Sequence, residues 1–364
     1  MTTIPIACVT CSTPYPDEGT PYRCPRCGGV FDWVGAFPWQ NPALEHQPGG
    51  IWRWQRSFGL PQMGDPVTLG EGNTPLVPDR VGGQQVYFKL ESLNPTGSYK
   101  DRASAVLTTF LRSRAVSSAV EDSSGNAGAS FAAYAARAGI RARVFIPESA
   151  SGPKRRQIET YGAELVPVHG PRSAAAEAVT AEVETGAVYA SHAWMPFGLA
   201  GIATIAYELL EQLGQVPGTI ISPAGHASLA LGILRGFKAL HKTRQIDRLP
   251  VIIAVQSSAC APVWAAWNQL APPVVEGITL AEGVRVLKPV RMTALINELD
   301  RDRDLVLAFD DEPVRVARTE LARRGIDVDP TSALAWCGLA GSGRKLPEPI
   351  VLVLTGSGLN YDGI

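Results

Sequence analysis

The stretch Asn94-Pro95-Thr96-Gly97-Ser98-Tyr99-Lys100-Asp101-Arg102 puts one lysine directly after a Gly-Ser turn and just ahead of an alanine-rich helix. A lysine at such a boundary is held in place instead of sweeping a surface. Its amine becomes a useful nucleophile when its pKa is lowered and its position fixed, and Schiff-base formation is the usual use. A surface lysine at a helix N-terminus is the competing reading of these residues alone. A second stretch, Val120-Glu121-Asp122-Ser123-Ser124-Gly125-Asn126-Ala127-Gly128-Ala129-Ser130, follows a short run from Ala115 to Val120 and opens a helix through Phe131, Ala132, Tyr134, Ala135 and Ala136. A strand, a Ser/Gly/Asn loop and a helix in that order leave backbone N–H groups pointing out of the turn. They form an anion site suited to a carboxylate or phosphate. N-capping by Ser124 or Asn126 is compatible with that role.

Together the two stretches resemble the fold-type-II enzymes that use pyridoxal 5′-phosphate, and among them the threonine synthase group. Further matches lie at Gly72-Asn73-Thr74-Pro75-Leu76, Ala281-Glu282-Gly283, Asp329-Pro330-Thr331-Ser332-Ala333 and Leu354-Thr355-Gly356-Ser357-Gly358-Leu359, in the family's order, and the resemblance covers residues 50–364. It implies an α/β fold of two parallel-sheet domains with a cofactor cleft between them.

Composition is consistent with an enzyme of this kind. The 364 residues are 45% hydrophobic and 18% charged, enough for a sizeable core, with a net charge of −1. No basic stripe points to nucleic acid. No run is long enough to span a membrane and Met1–Ala7 does not read as a signal peptide, so a cytoplasmic protein is expected. Four of the six cysteines, Cys8, Cys11, Cys24 and Cys27, follow C-x2-C-x12-C-x2-C. Two such knuckles offer four thiolates to a structural zinc ion, with free or redox-labile thiols as the alternative. Residues 1–35 therefore read as a zinc-ribbon-like segment, a feature the resemblance shares. Cys260 and Cys337 read as buried core thiols.

Residues 36–66, with Trp39, Trp52 and Trp54 among prolines and glycines, read as an irregular wrap packed by its tryptophans. Beyond residue 85 strands alternate with helices. Strands are expected at 85–90, 116–120, 141–146, 164–168, 187–190, 218–222, 250–256, 305–308 and 349–354. Helices are expected at 153–161, 171–185, 199–213, 228–241 and 313–324. Such alternation predicts parallel sheets with helices on both faces. Strands 116–120, 141–146, 164–168 and 187–190 are assigned to the smaller sheet. The expected division is a ribbon at 1–35, a large cofactor-binding domain from 36–100 and 200–364, and a small α/β domain at 101–199. No G-x-G-x-x-G follows an early strand, so a dinucleotide-binding dehydrogenase is excluded.

Residue by residue, the resemblance implies that Lys100 holds the cofactor as an internal aldimine, is displaced by an amino acid, and then takes its Cα proton. Asn126 matches the family residue beside the ring hydroxyl. Ser123, Ser124, Gly125, Asn126 and Ala127 match the loop that holds the substrate carboxylate. Thr355 matches the partner of the pyridine nitrogen. A hydroxyl there does not retain a ring proton as a carboxylate would, which favours elimination over transamination. Thr355 also reads as a turn residue. Gly225-His226-Ala227-Ser228 occupies the place of the phosphate loop, but the family's glycine or asparagine positions have become His226 and Ala227. Ala227 is costly wherever φ is positive, while His226 would add a cationic donor or cap the helix.

In the segment 191–204, Ala193, Met195 and Ala203 replace polar residues that in threonine synthases help to read a substrate phosphate. An apolar lining does not compensate a dianion, so a smaller or apolar amino acid, or another leaving group, is favoured. Lys154, Arg155 and Arg156 are the alternative phosphate readers. The expected activity is a pyridoxal-phosphate-dependent lyase or substitution reaction at Cβ or Cγ of an amino acid, threonine synthase-like. A serine/threonine dehydratase or β-replacement enzyme is the alternative, and a non-catalytic ligand-binding protein is the alternative of another class. The resemblance also implies a homodimer.

Overall fold

The computed structural model describes residues 4–361 except 43–48, 62, 124, 149–151 and 171. The chain divides into two compact units, one of residues 1–71, 94–201 and 361–364, the other of 72–93 and 202–360. Among the described residues no helix is long and apolar enough to cross a membrane.

The first unit begins with a small antiparallel pair, β1 (Ile6–Cys8) and β2 (Phe31–Trp33). Tyr15 fastens this ribbon: its ring lies edge-on to Phe31, to Phe110 of α1 (Lys100–Ser113) and to Phe197, at centroid distances of 4.7, 5.9 and 5.1 Å. The tryptophan-rich wrap is a 3-10 stretch, Gly50–Phe58, with Trp52 and Trp54 buried. The Trp52 indole N–H donates to Glu71 Oε1 at 2.6 Å, and Glu71 Oε2 accepts the Tyr134 hydroxyl at 2.7 Å. Tyr134 lies on α2 (Asn126–Ala138). These bonds tie the Trp52 stretch and Glu71 to α2; the expected large domain took in 36–100, of which 36–71 and 94–100 group with the first unit and 72–93 with the second. The units part at 71/72, 93/94 and 201/202.

The sheet of this unit is parallel, in the order β5 (Ser118–Glu121), β6 (Arg141–Pro147), β7 (Glu164–Val168). Each strand returns through a helix, as parallel pairing requires: α2 between β5 and β6, then α3 (Pro153–Thr160) before β7. The strand expected at 187–190 is reduced to one parallel bridge, Tyr189 to Val120. Only Val188 O and Ala190 N–H pair with Val120 before the chain turns at Ser191, whose carbonyl accepts the Met195 N–H.

The second unit is built on six strands in the order β10-β9-β8-β11-β4-β3. These are β3 (Leu76–Val81), β4 (Gln84–Leu90), β8 (Thr219–Pro223), β9 (Val251–Ser257), β10 (Leu305–Phe309) and β11 (Ile350–Leu354). All neighbours are parallel except the β3–β4 hairpin. Strands β8, β9 and β11 are buried throughout, as central strands of a covered parallel sheet are. Strand β3 was not among the expected strands, the first of which was 85–90, and it contains Pro78. It forms at the sheet edge, where a missing N–H is tolerated.

The expected helices form with ends shifted by one or two residues, at α3, α4 (Arg172–Glu184), α5 (Gly198–Leu213), α6 (Ser228–Lys242) and α9 (Asp311–Ala322). Helices α7 (Pro262–Trp267), α8 (Met292–Glu298) and α10 (Pro330–Ala340) complete the set. Cys260 and Cys337 are buried, as expected.

One buried ion pair organises the start of the second unit. Lys89 is fully buried on β4, and its ammonium donates to Glu208 Oε2 at 2.6 Å, Thr74 O at 2.8 Å and Gln212 Oε1 at 2.9 Å. Three acceptors match its three protons. Glu208 Oε1 accepts the Asn73 N–H at 2.7 Å, fixing the Gly72–Leu76 loop.

Lys89→Met should leave Glu208 buried without its counter-charge and cost about 3–5 kcal/mol, whereas Lys89→Met with Glu208→Leu should recover most of that loss. Urea denaturation of both variants checks this, and a double variant no better than the single one contradicts it. A second expectation concerns Asp101 in the first unit, which is fully buried and whose carboxyl burial pushes up to about 7. A carboxyl raised on folding contributes stability that is present below its unfolded value and lost as pH rises through its folded value. Wild-type stability relative to Asp101→Asn should therefore fall between pH 4 and 7, by up to about 1.4 kcal/mol per pH unit. Denaturation midpoints across that range read the difference, and parallel curves would refute it.

Candidate active site

In the first unit Lys100 is the first residue of α1, and the Tyr99 N-cap supplies no side-chain cap. The turn before it needs Gly97, which sits at φ +85° and whose N–H closes onto Asn94 O at 2.8 Å. Lys100 is half-buried, with its ammonium 5.0 Å from the centroid of the Tyr99 ring. The neighbouring Ser98 hydroxyl is buried and has no hydrogen-bond partner among the described residues.

Asp101 holds this turn in register. Its carboxylate accepts the Thr96 N–H at 2.7 Å, the Thr96 hydroxyl at 2.5 Å and the Ser130 hydroxyl at 2.6 Å. Burial raises its pKa, and the hydrogen bonds from Ser130 and Thr96 oppose that rise. Ser130 lies four residues after Asn126 on α2, on the same helix face. The bond from Ser130 to Asp101 therefore sets the start of α2 beside the start of α1, with the Ser130 hydroxyl also 2.7 Å from that of Ser104.

The loop leading into α2 follows β5. Ser123 is buried, and its hydroxyl accepts the Gly125 N–H at 3.3 Å. Ser124 lies outside the described residues. Gly125 is the N-cap and brings no side-chain cap, so no side chain at that position competes with a ligand for the first N–H groups of α2. The loop folds tightly onto the helix, since a Cβ on Gly128 would meet Ser123 O at 1.8 Å. Beneath it Glu121, fully buried, accepts the Ser123 N–H at 2.6 Å and holds His192 Nδ1 at 2.7 Å. Asp122 accepts the Tyr189 hydroxyl at 2.6 Å. Glu121 was quoted in the 120–130 stretch and His192 lies in the 191–204 segment, neither with a role; their pairing needs the fold, because they stand 71 residues apart.

In the second unit Gly225–Ser228 follows β8 and Thr355 follows β11. These strands are parallel neighbours, with Ile221 opposite Leu352. Both loops therefore leave the same, carboxyl end of the sheet, where ligands of open α/β sheets bind. Ala227 sits at φ +70°, a conformation that disfavours side chains, and is the N-cap of α6 without capping it. The Ser228 hydroxyl is buried without a hydrogen-bond partner among the described residues. An uncapped 15-residue helix and a buried unpaired hydroxyl at its first position fit a phosphate. The His226 Nδ1 accepts the Val290 N–H at 3.5 Å, and its carbonyl accepts the Arg291 N–H at 3.1 Å. Thr355 is buried and its Oγ1 lies 3.0 Å from Ser332 Oγ.

Ala193, Met195 and Ala203 are all buried. Arg156 is exposed on α3, while Lys154 and Arg155 are half-buried.

The four cysteines of the ribbon converge. Their Sγ atoms all lie within 4.8 Å of one another, with Cys8–Cys27, Cys11–Cys27 and Cys11–Cys24 at 3.5, 3.4 and 3.7 Å. These separations are too long for disulfides. They are near the ~3.8 Å spacing of four thiolates about 2.3 Å from a tetrahedral zinc ion.

Comparison with known proteins agrees with this geometry. A sequence model of the family described as "Pyridoxal-phosphate dependent enzyme" matches residues 67–356. Threonine synthase of Methanocaldococcus jannaschii is 32% identical over 97% of this chain and 92% of its own length. Threonine synthase of Mycobacterium leprae is 31% identical over 88% of this chain and 91% of its own. Among solved structures, a threonine deaminase from T.th. is similar with a TM-score of 0.64 and 27% identity, covering 78% of this chain and 92% of that one. Maize serine racemase shares the fold, with a TM-score of 0.68 and 21% identity over 79% of this chain and 89% of its own. The chain belongs to the pyridoxal-phosphate dependent enzymes of fold type II, as a threonine synthase-like lyase.

Proposed function

We propose that this lyase acts at Cβ or Cγ of an amino acid, with threonine synthase the nearest named activity. The observation that carries the reading is the N-terminus of α6, where the buried Ser228 hydroxyl lacks a partner among the described residues beside an uncapped helix start. Gly225, His226, Ala227 and Ser228 would hold the cofactor phosphate there. Lys100 would carry the cofactor, and its freed amine would take the Cα proton of the bound amino acid. The bound cofactor's ring supplies an electron sink for that proton's removal. Asn126 would lie beside the ring hydroxyl and Thr355 against the pyridine nitrogen. The Ser123–Ala127 loop at the start of α2 would bind the substrate carboxylate and orient Cα–H, through N–H groups other than that of Ser123, which Glu121 already accepts. Glu121 would keep that loop in place through the Ser123 N–H.

The relatives' name points to O-phosphohomoserine as the first substrate to test. A second reading, dehydration of serine or threonine or a β-replacement, is favoured by Ala193 and Met195, which bring no donor for a second phosphate. With cofactor present, release of phosphate and threonine from O-phosphohomoserine, abolished in Lys100→Ala, is the outcome for the first reading. Keto acid and ammonia from serine or threonine is the outcome for the second. Turnover of none of them defeats both and leaves a non-catalytic binding protein.

The ribbon cysteines Cys8, Cys11, Cys24 and Cys27 would hold a structural zinc ion. One zinc per chain by elemental analysis, lost in Cys11→Ser with Cys24→Ser along with a drop in thermal midpoint of several degrees, is the expected result. Protein purified without zinc and indifferent to chelator would contradict it. We assign the protein to the cytoplasm as a homodimer with a small-molecule amino-acid substrate and no nucleic-acid or membrane partner, in keeping with its composition and family.

A further inference from the structure

The cysteine ribbon is the part of the first unit that the proposed chemistry leaves without a task. Residues 1–35 carry Arg23 and Arg26 as their basic side chains, against Asp17, Glu18 and Asp32, and the Arg23 guanidinium lies 5.2 Å over the Tyr22 ring. That balance gives a polyanion no surface to bind. The ribbon's aromatic side chains are engaged inward instead. Tyr22, two residues before Cys24, is buried, and its ring lies edge-on to Tyr189 and to Trp194 at centroid distances of 5.0 and 5.6 Å. The Trp33 indole N–H donates to Pro196 O at 3.2 Å. With Tyr15 against Phe197, three ribbon aromatics meet one short segment, 189–197. Edge-to-face pairs fix orientation as well as burying area.

That segment in turn grips the loop before α2. Apart from the bridge of Tyr189 to Val120 and the turn closed by Met195 N–H on Ser191 O, it is irregular, so packing decides its conformation. The Tyr189 hydroxyl donates to Asp122 Oδ1 at 2.6 Å, and His192 Nδ1 lies 2.7 Å from Glu121 Oε1. Glu121 Oε2 accepts the Ser123 N–H at 2.6 Å. The Gly125 N-cap brings no side-chain bond of its own, which gives these outside partners a large share in placing the loop.

We propose that the ribbon is a positioning element for the Ser123–Ala127 loop. Tyr22, on the knuckle that carries Cys24 and Cys27, holds Tyr189 and Trp194, which bracket His192 in sequence. Tyr189 and His192 then hold Asp122 and Glu121, and Glu121 holds the Ser123 N–H. This rests on the reading above that the loop receives the substrate carboxylate. A ribbon closed around a metal ion by its four thiolates keeps Tyr22 in place, and an opened ribbon releases it. The state of the ribbon thereby governs the substrate loop and leaves the 94–101 turn to its own Asp101 bonds.

The test is hydrogen–deuterium exchange of the full-length protein loaded with pyridoxal phosphate, read peptide by peptide. Tyr22→Ala removes two ring pairs at once and should speed exchange in 118–127 and 188–196 by about tenfold. The Lys100 turn at 94–101 and the start of α6 should exchange as in wild type. Tyr22→Phe, which keeps the ring, should restore the wild-type rates. Should Tyr22→Ala fail to fold, Tyr22→Leu keeps most of the volume and carries the same comparison. Equal acceleration everywhere, the mark of lost stability alone, overturns the proposal, and so does an unchanged 118–127. Chelator treatment of the wild type should reproduce the Tyr22→Ala pattern. A chelator without effect beside an effect of Tyr22→Ala overturns the zinc reading alone. Added O-phosphohomoserine, L-serine or L-threonine should slow exchange at 123–127 in the wild type. Protection by none of them overturns the substrate reading of the loop and leaves its coupling to the ribbon standing.

Discussion

The Asp101 carboxylate is the constraint on which the candidate residues of the first unit depend. One buried group takes two hydrogen bonds from the loop that precedes Lys100 and one from the second turn of α2. Without it the 94–99 turn, the start of α1 and the start of α2 would be three separate pieces of chain. With it, Lys100 and the uncapped start of α2 are held in a fixed relation by donors that cannot move independently. The carboxyl is costly to bury, as its raised pKa records, and the hydrogen bonds offset part of that cost. Glu71 works similarly one layer away, joining the tryptophan wrap to α2 through Trp52 and Tyr134.

The second unit uses sheet topology to the same end. Parallel pairing of β8 with β11 delivers the 225–228 loop and Thr355 to one end of the sheet, although they lie far apart in sequence. Local chemistry then completes each loop. Ala227 accepts an unfavourable backbone conformation at the N-cap of α6, and the helix start is left with a buried hydroxyl instead of an internal cap. A positive φ and an unmet hydrogen bond in one loop are the observations that support the proposed phosphate site.

Much of this was legible in the sequence. The alternation of apolar runs and amphipathic segments pointed to the parallel sheets, and the motifs around Lys100, Asn126 and Thr355 carried the family. The positive φ at Ala227 is the cost foreseen for a non-glycine residue in that loop. What escaped were features that depend on neighbours in space. The edge strand Leu76–Val81 was not expected, and the run 187–190 looked like a full strand but pairs with Val120 at one bridge only. The grouping of 36–71 with the first unit rests on Glu71 and on contacts such as the Val67 N–H to the Thr109 hydroxyl, none of which has a local signature.

The central claim is that Lys100 carries the cofactor. Borohydride reduction of the cofactor-loaded protein, followed by peptide mapping, tests it most directly. A phosphopyridoxyl group on the peptide containing Lys100 is the predicted result, and a stable adduct on another lysine, or on none, would contradict it.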